Sequence, residues 1–275
     1  MKAVCNICPH HCVIEEGKTG FCRARANING KIVCENYGKI TSIALDPVEK
    51  KPFRHFFKGR KILSVGSYGC NFKCAFCQNS DISMADKNTQ TTKNVSPHEL
   101  VHYAIESKSD GNIGIAYTYN EPLVGYEFVL NCSKLIKQQG LKNVVVTNGY
   151  ICKEPLTELL YYIDAMNIDL KAFSESFYEK VGGDLETVKA TIHHAAKRCH
   201  VEVTTLIIPG ENDSEEEMDR LSSWLASVNP EIPLHITRFF PRWNMRDREA
   251  TPLETIYSLS VIASKNLRYV YEGNI

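Results

Sequence analysis

From about residue 60 onward the chain alternates short β-branched or apolar runs with longer amphipathic ones. That is the pattern of repeated βα units laid on a parallel sheet. The expected strands are Ile62 to Ser67, Ile113 to Tyr119, Asn143 to Asn148, Ala165 to Leu170, Val201 to Ile208 and Leu234 to Phe239, with a short one at Tyr269 to Tyr271. Helical patterns fall between them, over Pro97 to Ser107, Leu123 to Gln139, Pro155 to Tyr162, Leu185 to Arg198, Ser214 to Ser227 and Pro252 to Lys265. Several open on a serine, aspartate or threonine cap or an early proline. Six such units are too few for a closed eight-stranded barrel, so the fold class expected is α/β, an open partial (β/α)6 barrel of the TIM type.

Before residue 60 the helical period is missing. The run GKITSIALDPVEKKP, Gly38 to Pro52, alternates without it and reads as one or two strands joining a small lobe to the core. The expected division is a cysteine-rich lobe over 1–58, capping the amino-terminal edge of the barrel, and a core over 59–275. In such a sheet the chemistry collects at the carboxyl ends of the strands. The polar residues that break the pattern fall there: Cys70, then Asn120-Glu121-Pro122, Thr147-Asn148-Gly149, Asp169-Leu170-Lys171, Pro209 to Asp213, and His235 to Arg238.

Composition narrows the class. With 43% hydrophobic residues in 275 the chain can bury a sizeable core, and 32 basic residues balance 32 acidic ones, which leaves no global field for nucleic acid or an anionic membrane. The basic run Lys50 to Lys61, KKPFRHFFKGRK, reads as a solvated face beside a buried aromatic pair, with a phosphate or partner patch as the alternative. No apolar run has the length of a membrane span, and the opening MKAVCNICPHHC lacks the apolar core of a signal peptide. The expected location is the cytoplasm, where eleven cysteines point to metal rather than to disulfides.

Seven of these cysteines form two sets. Cys132 and Cys199 are expected as small buried residues on helices, while Cys34 and Cys152 have no assigned role. Cys5, Cys8, Cys12 and Cys22 make a closed set suited to zinc, to a rubredoxin-like iron or to an auxiliary iron-sulfur cluster; His10 and His11 are expected as loop residues. The second set lies in GCNFKCAFCQN, where Cys70, Cys74 and Cys77 supply three thiolates and no fourth. Three thiolates can hold three irons of a cubane and leave the fourth open, and an open metal position marks a working site.

This loop, with its C-x3-C-x2-C spacing and Phe76 before the last cysteine, resembles the signature of the radical S-adenosylmethionine (SAM) superfamily. The resemblance implies a 4Fe-4S cluster on Cys70, Cys74 and Cys77, SAM chelated to the open iron, and a 5′-deoxyadenosyl radical that abstracts hydrogen under anaerobic conditions. AYTYNEP, Ala116 to Pro122, stands where the superfamily has Gly-Gly-Glu, so Asn120 and Glu121 are implied in the SAM pocket, with Glu121 accepting the SAM ammonium. VTNG and IDLK are similar to strand ends of the pyruvate formate-lyase activating enzyme group. That likeness implies Thr147, Asn148, Asp169 and Lys171 as SAM contacts, with Lys171 facing the methionine carboxylate, and His235 near the ribose. Val146 departs from an aspartate in that group and puts its cation site in doubt.

Over essentially the whole chain, CNICPHHC, GKITSIALDPVEKKPFRHF, TRFFPRWNM and YVYEGN resemble the branch called AmmeMemoRadiSam system enzymes. The partners implied are SAM, an electron donor such as flavodoxin or ferredoxin, and a protein substrate carrying the target glycine. A small molecule or nucleoside is the alternative substrate. A metal-binding interaction protein without activity is the alternative class, opposed by the intact cysteines and Glu121. Arg242, Trp243 and Arg246 are further candidates for substrate contact.

Overall fold

The computed structural model describes all 275 residues. Two short hairpins open the chain. Strands β1 (Lys2–Val4) and β2 (Val13–Glu15) pair antiparallel, as do β3 (Arg25–Ile28) and β4 (Lys31–Cys34). The second hairpin turns at Asn29-Gly30, both at positive φ, as a two-residue turn with the twist of its strands requires. After β5 (Lys39–Ile40) come β6 (Ser42–Pro47) and β7 (Lys61–Gly66), then the short helix α1 (Ser80–Ser83) and β8 (Lys93–Asn94), which pairs with β5.

The repeating part follows as α2 (Pro97–Glu106), β9 (Asn112–Tyr117), α3 (Tyr126–Gln138), β10 (Lys142–Thr147), α4 (Lys153–Leu159), β11 (Ala165–Asp169), α5 (Glu175–Val181), α6 (Leu185–Ala195), β12 (His200–Ile207), α7 (Glu215–Val228), β13 (Leu234–Arg238), α8 (Leu253–Ala263) and β14 (Val270–Gly273). The sheet order is β14-β13-β12-β11-β10-β9-β7-β6, parallel except for β6, which runs antiparallel along the β7 edge. The six expected βα repeats are therefore present, with the expected joining strand as β6 and the short last strand as β14 at the two edges. Central residues such as Ile115, Ala116, Val144, Val145 and Met166 are fully buried, as strands covered on both faces must be. No helix is long and apolar enough to cross a membrane.

Several expectations change. A 3-10 turn, Pro122–Gly125, precedes α3, because Glu121 caps it by accepting from the Leu123 amide. Helix α5 was not expected; its seven residues are too few for a clear period. Cys199 lies in the turn after α6 rather than on the helix. The largest change concerns the lobe. Its cysteine-rich part packs at the carboxyl ends of the strands, with the Cys152 amide donating to Ile7 O at 2.9 Å and His10 Nε2 to Asn71 O at 2.9 Å. Only the segment around Phe53 to Phe56 reaches the amino-terminal ends, where both rings are buried and Phe56 stacks on His200 at 5.6 Å.

That segment is anchored on Glu202, whose side chain is fully buried in β12. The carboxylate accepts from the Arg54 and His55 amides at 2.8–3.0 Å, from His200 Nε2 at 2.9 Å and from His235 Nε2 at 2.6 Å. Burial by itself would raise this carboxyl, but the two histidines and two amides outweigh it and hold it down to about 2. A folded-state value below the unfolded one contributes stability above the unfolded pKa of 4.5, and that contribution is lost as pH falls toward 2. At neutral pH it amounts to about 3 kcal/mol. We expect Glu202→Gln to lower stability to urea by about 2–4 kcal/mol at pH 7 and by clearly less at pH 3. An equal loss at both pH values would rule out this linkage.

Candidate active site

The Cys70 to Cys77 loop leaves β7 with no strand ladder to shape it, so its backbone groups need other partners. Asparagine side chains supply them. Asn120 accepts from the Ser67 amide at 3.0 Å and donates to Tyr68 O and Gly69 O at 3.2 and 3.0 Å. Asn36 donates to Tyr68 O at 2.9 Å, and Asn71 donates to Tyr150 O at 2.7 Å while accepting from Asn148 Nδ2 at 2.8 Å. Gly69 takes φ +89° with its Cα against the N-terminal lobe, where a Cβ would stand 2.6 Å from Cys22 O. Only glycine fits that conformation and that space.

Cys70, Cys74 and Cys77 then line one cleft of ≈410 Å³. The Cys77 amide donates to Cys74 O at 3.2 Å, closing the turn between them. Cys70 Sγ accepts from the Phe72 amide at 3.3 Å and from Asn148 Nδ2 at 3.7 Å. Burial pushes the Cys74 thiol up to about 12, with Lys171 opposing it, and pushes Cys70 well up. Three thiols on one cleft, with N–H groups aimed at the Cys70 sulfur, are a donor set fitted to an iron-sulfur cluster, whose positive irons would supply counter-charge to the thiolates.

On the facing wall stands Glu121, 3% exposed. Its Oε1 accepts from the Leu123 amide at 3.0 Å and Thr147 Oγ1 at 2.8 Å, and its Oε2 from the Asn148 amide at 2.7 Å. Burial still raises the carboxyl to about 7 against these donors. Lys171 Nζ pairs with Asp169 Oδ2 at 2.8 Å and sits 6.0 Å from the Phe76 ring centre. Burial works against its ammonium, but Asp169 and Cys74 outweigh it and keep it charged. Asn212, from the Pro209 to Asp213 turn, donates to Lys171 O at 2.6 Å and Leu206 O at 2.9 Å, so that turn braces the end of β11. Phe76, Asn120, Glu121, Thr147, Asn148, Asp169 and Lys171 all line the cleft of the three thiols.

His235 does not. It lies two residues before Thr237 on the same face of β13, toward the amino-terminal end, and is held by Glu202; Thr237 is the residue that lines the cleft. Nor do Arg242, Trp243 and Arg246 line it.

Other residues of the wall were not anticipated. Lys51 lies against the cleft with its side chain 6% exposed, pairs with Asp46 Oδ2 at 2.9 Å, and places Nζ 4.3 Å from the Tyr119 ring centre. Burial lowers its pKa, outweighing Asp46. Tyr119 donates its hydroxyl to Asp46 at 2.9 Å and holds φ +74°, a conformation that costs a non-glycine residue about 1–2 kcal/mol. Gly66 makes room for it, since a Cβ there would stand 2.8 Å from the Tyr119 ring. Thr204 and Thr237 were open to discovery from strand alternation near the carboxyl ends. Lys51 carried only the weaker signal of its basic run, which reads first as a solvated face and only second as a phosphate or partner patch.

The model of the Radical SAM superfamily matches residues 64–222. An uncharacterized protein of Methanocaldococcus jannaschii is 42% identical over 278 residues, covering 100% of this chain and 82% of its own length. A second protein of that organism, bearing the name glycyl-radical enzyme activating enzyme, is 27% identical over 215 residues, 76% of this chain and 79% of its own. In fold, a domain of the pyruvate-formate lyase-activating enzyme of Bacteroides vulgatus is similar at a TM-score of 0.51 and 21% identity, over 58% of this chain and 98% of that one.

The asparagine bracing generates an expectation independent of any ligand. Asn120→Ala removes partners from the Ser67 amide and two loop carbonyls, and is expected to cost about 2–4 kcal/mol. Thermal unfolding would check the loss, and loosening should appear first as faster amide exchange at Ser67 and in its neighbours.

Proposed function

The chain belongs to the radical SAM superfamily, and we propose that Cys70, Cys74 and Cys77 hold its 4Fe-4S cluster with SAM bound at the iron position they leave open. The observation that carries this assignment is the convergence of three thiols and the buried Glu121 on one cleft. When bound, the cluster supplies the electron that cleaves SAM reductively to methionine and a 5′-deoxyadenosyl radical. The chain's residues bind and orient. Glu121, fixed by Thr147 and the Leu123 and Asn148 amides, accepts the ammonium of SAM, and Lys171, held by Asp169, faces its carboxylate. Phe76 packs beside Lys171, and Asn120 and Asn148 shape the thiol loop rather than reaching for the substrate. A one-electron donor of the flavodoxin or ferredoxin class supplies the reducing equivalent.

The target is a C–H bond, and the likeness to a protein named as a glycyl-radical enzyme activating enzyme supports a glycine of a partner protein. A second reading rests on Lys51. An ammonium with three donors and one carboxylate partner, set in the cleft wall, suits a small substrate that brings a carboxylate or phosphate of its own.

Anaerobically reconstituted protein with dithionite and SAM is expected to release 5′-deoxyadenosine, and Cys74→Ala to abolish the release. No difference between the two would sink the assignment. Glu121→Gln should weaken SAM binding about tenfold to a hundredfold in equilibrium dialysis. A glycyl radical signal in electron paramagnetic resonance after mixing with candidate partners favours the activating role. Release of 5′-deoxyadenosine stimulated by a small anionic compound, and lost in Lys51→Met, favours the second reading.

A further inference from the structure

A second set of thiols meets in the N-terminal lobe. Cys5, Cys8, Cys12 and Cys22 line one small cavity of ≈10 Å³ together with Arg25. The local backbone explains how four residues spread over two turns reach one place. The Cys5 amide donates to Cys12 O at 3.0 Å and the His11 amide to Cys8 O at 3.1 Å, which folds CNICPHHC on itself with His11 at φ +40°. The Arg23 amide donates to Gly20 O at 3.0 Å and turns Cys22 toward the same wall. Gly20 lies so close that a Cβ there would stand 3.4 Å from Cys12 Sγ.

Arg25 supplies the second observation. It is 4% exposed, and its Nη atoms are taken by Glu127 at 2.6 and 2.8 Å and by Val124 O at 3.1 Å. Its Nε has no acceptor. A buried donor without a partner costs about 1–3 kcal/mol, so a sequence that keeps it there should offer it something. What the cavity offers is sulfur, and a thiolate bound to a metal is a good acceptor for such a donor.

We propose that Cys5, Cys8, Cys12 and Cys22 hold a single thiophilic ion, zinc or ferrous iron, as a closed tetrahedral centre whose thiolate charge is met by Arg25 Nε. Ligation releases the thiol protons to solvent and involves no change of oxidation state. Four thiolates close a tetrahedral set around one ion and leave no open position. The four cysteines line one cavity but no three of them are already placed to hold an ion, so binding requires their side chains to turn inward. The centre takes its place beside the cleft loop. Gly69 rests on Cys22 O, His10 donates to Asn71 O, and the His10 ring lies 4.4 Å from Phe21 and 5.3 Å from Tyr150. The ion thus braces the first residues of the Cys70 loop, whatever reaction the cleft performs.

The test uses the full chain with Cys70, Cys74 and Cys77 replaced by alanine, so that metal in the cleft does not contribute. After anaerobic purification, elemental analysis should find about one zinc or iron per chain without acid-labile sulfide. Adding Cys8→Ser and Cys12→Ser should lower it at least tenfold, whereas Cys34→Ser and Cys132→Ser should leave it. Cobalt loaded in place of the ion reads the ligand set without relying on the serine variants to fold, through the visible bands of tetrahedral thiolate cobalt. If the alanine variant is unfolded by circular dichroism, the intact chain serves, and the serine pair must remove one ion while the cleft iron stays. The proposal is overturned by a folded alanine variant free of metal, by cobalt bands without thiolate character, or by about four irons with sulfide.

Discussion

A loop that carries three thiols into one cleft has no ladder to lie in, and everything at the carboxyl end of this sheet depends on how that loop is held. Amide side chains hold it. Asn36, Asn71, Asn120 and Asn148 donate to and accept from its backbone and one another, joining the ends of β7, β9 and β10 to the N-terminal lobe. An amide suits this position because it pairs with carbonyls and N–H groups alike while bringing no charge. A carboxylate or ammonium in the same place would perturb the thiols it braces.

Of the charged residues around that framework, the two lysines stand in opposing pairs and Glu121 does not. Burial raises the Glu121 carboxyl against three donors, none of them a cationic side chain. Lys171 is matched by Asp169 on one side and Lys51 by Asp46 on another. The cleft thus carries two carboxylates, Glu121 and Asp169, and the ammonium groups of Lys51 and Lys171 around a common volume. Glu202 does comparable work at the opposite end of the strands, where it ties the Phe53 to Phe56 segment beneath the sheet.

Much of this was legible along the chain. The βα alternation, the strand ends and the polar residues that follow them were readable because a parallel strand repeats every two residues and its covering helix every 3.6. The elements that escaped were short or displaced. Seven residues of α5 hold too little period, and β6, expected as a joining strand, turned out to pair along the β7 edge across the Val48 to Arg60 excursion. His235, implied near the ribose, does not line the cleft. Alternation says that His235 and Thr237 point the same way, but which of them meets the cleft depends on the stagger of β13 against β12.

Local chemistry alone therefore determined the three-thiol spacing, the open iron position it implies and the order of the units, because each depends on residues a few positions apart. The tertiary structure decided what depends on approach across the fold. It set Lys51 under Tyr119, Gly69 against Cys22 and Arg25 beside four thiols, and it moved the cysteine-rich lobe to the carboxyl ends of the strands. No periodicity encodes such meetings, since they are fixed by strand stagger and by where buried donors and acceptors find one another, and these exist only once the chain has folded.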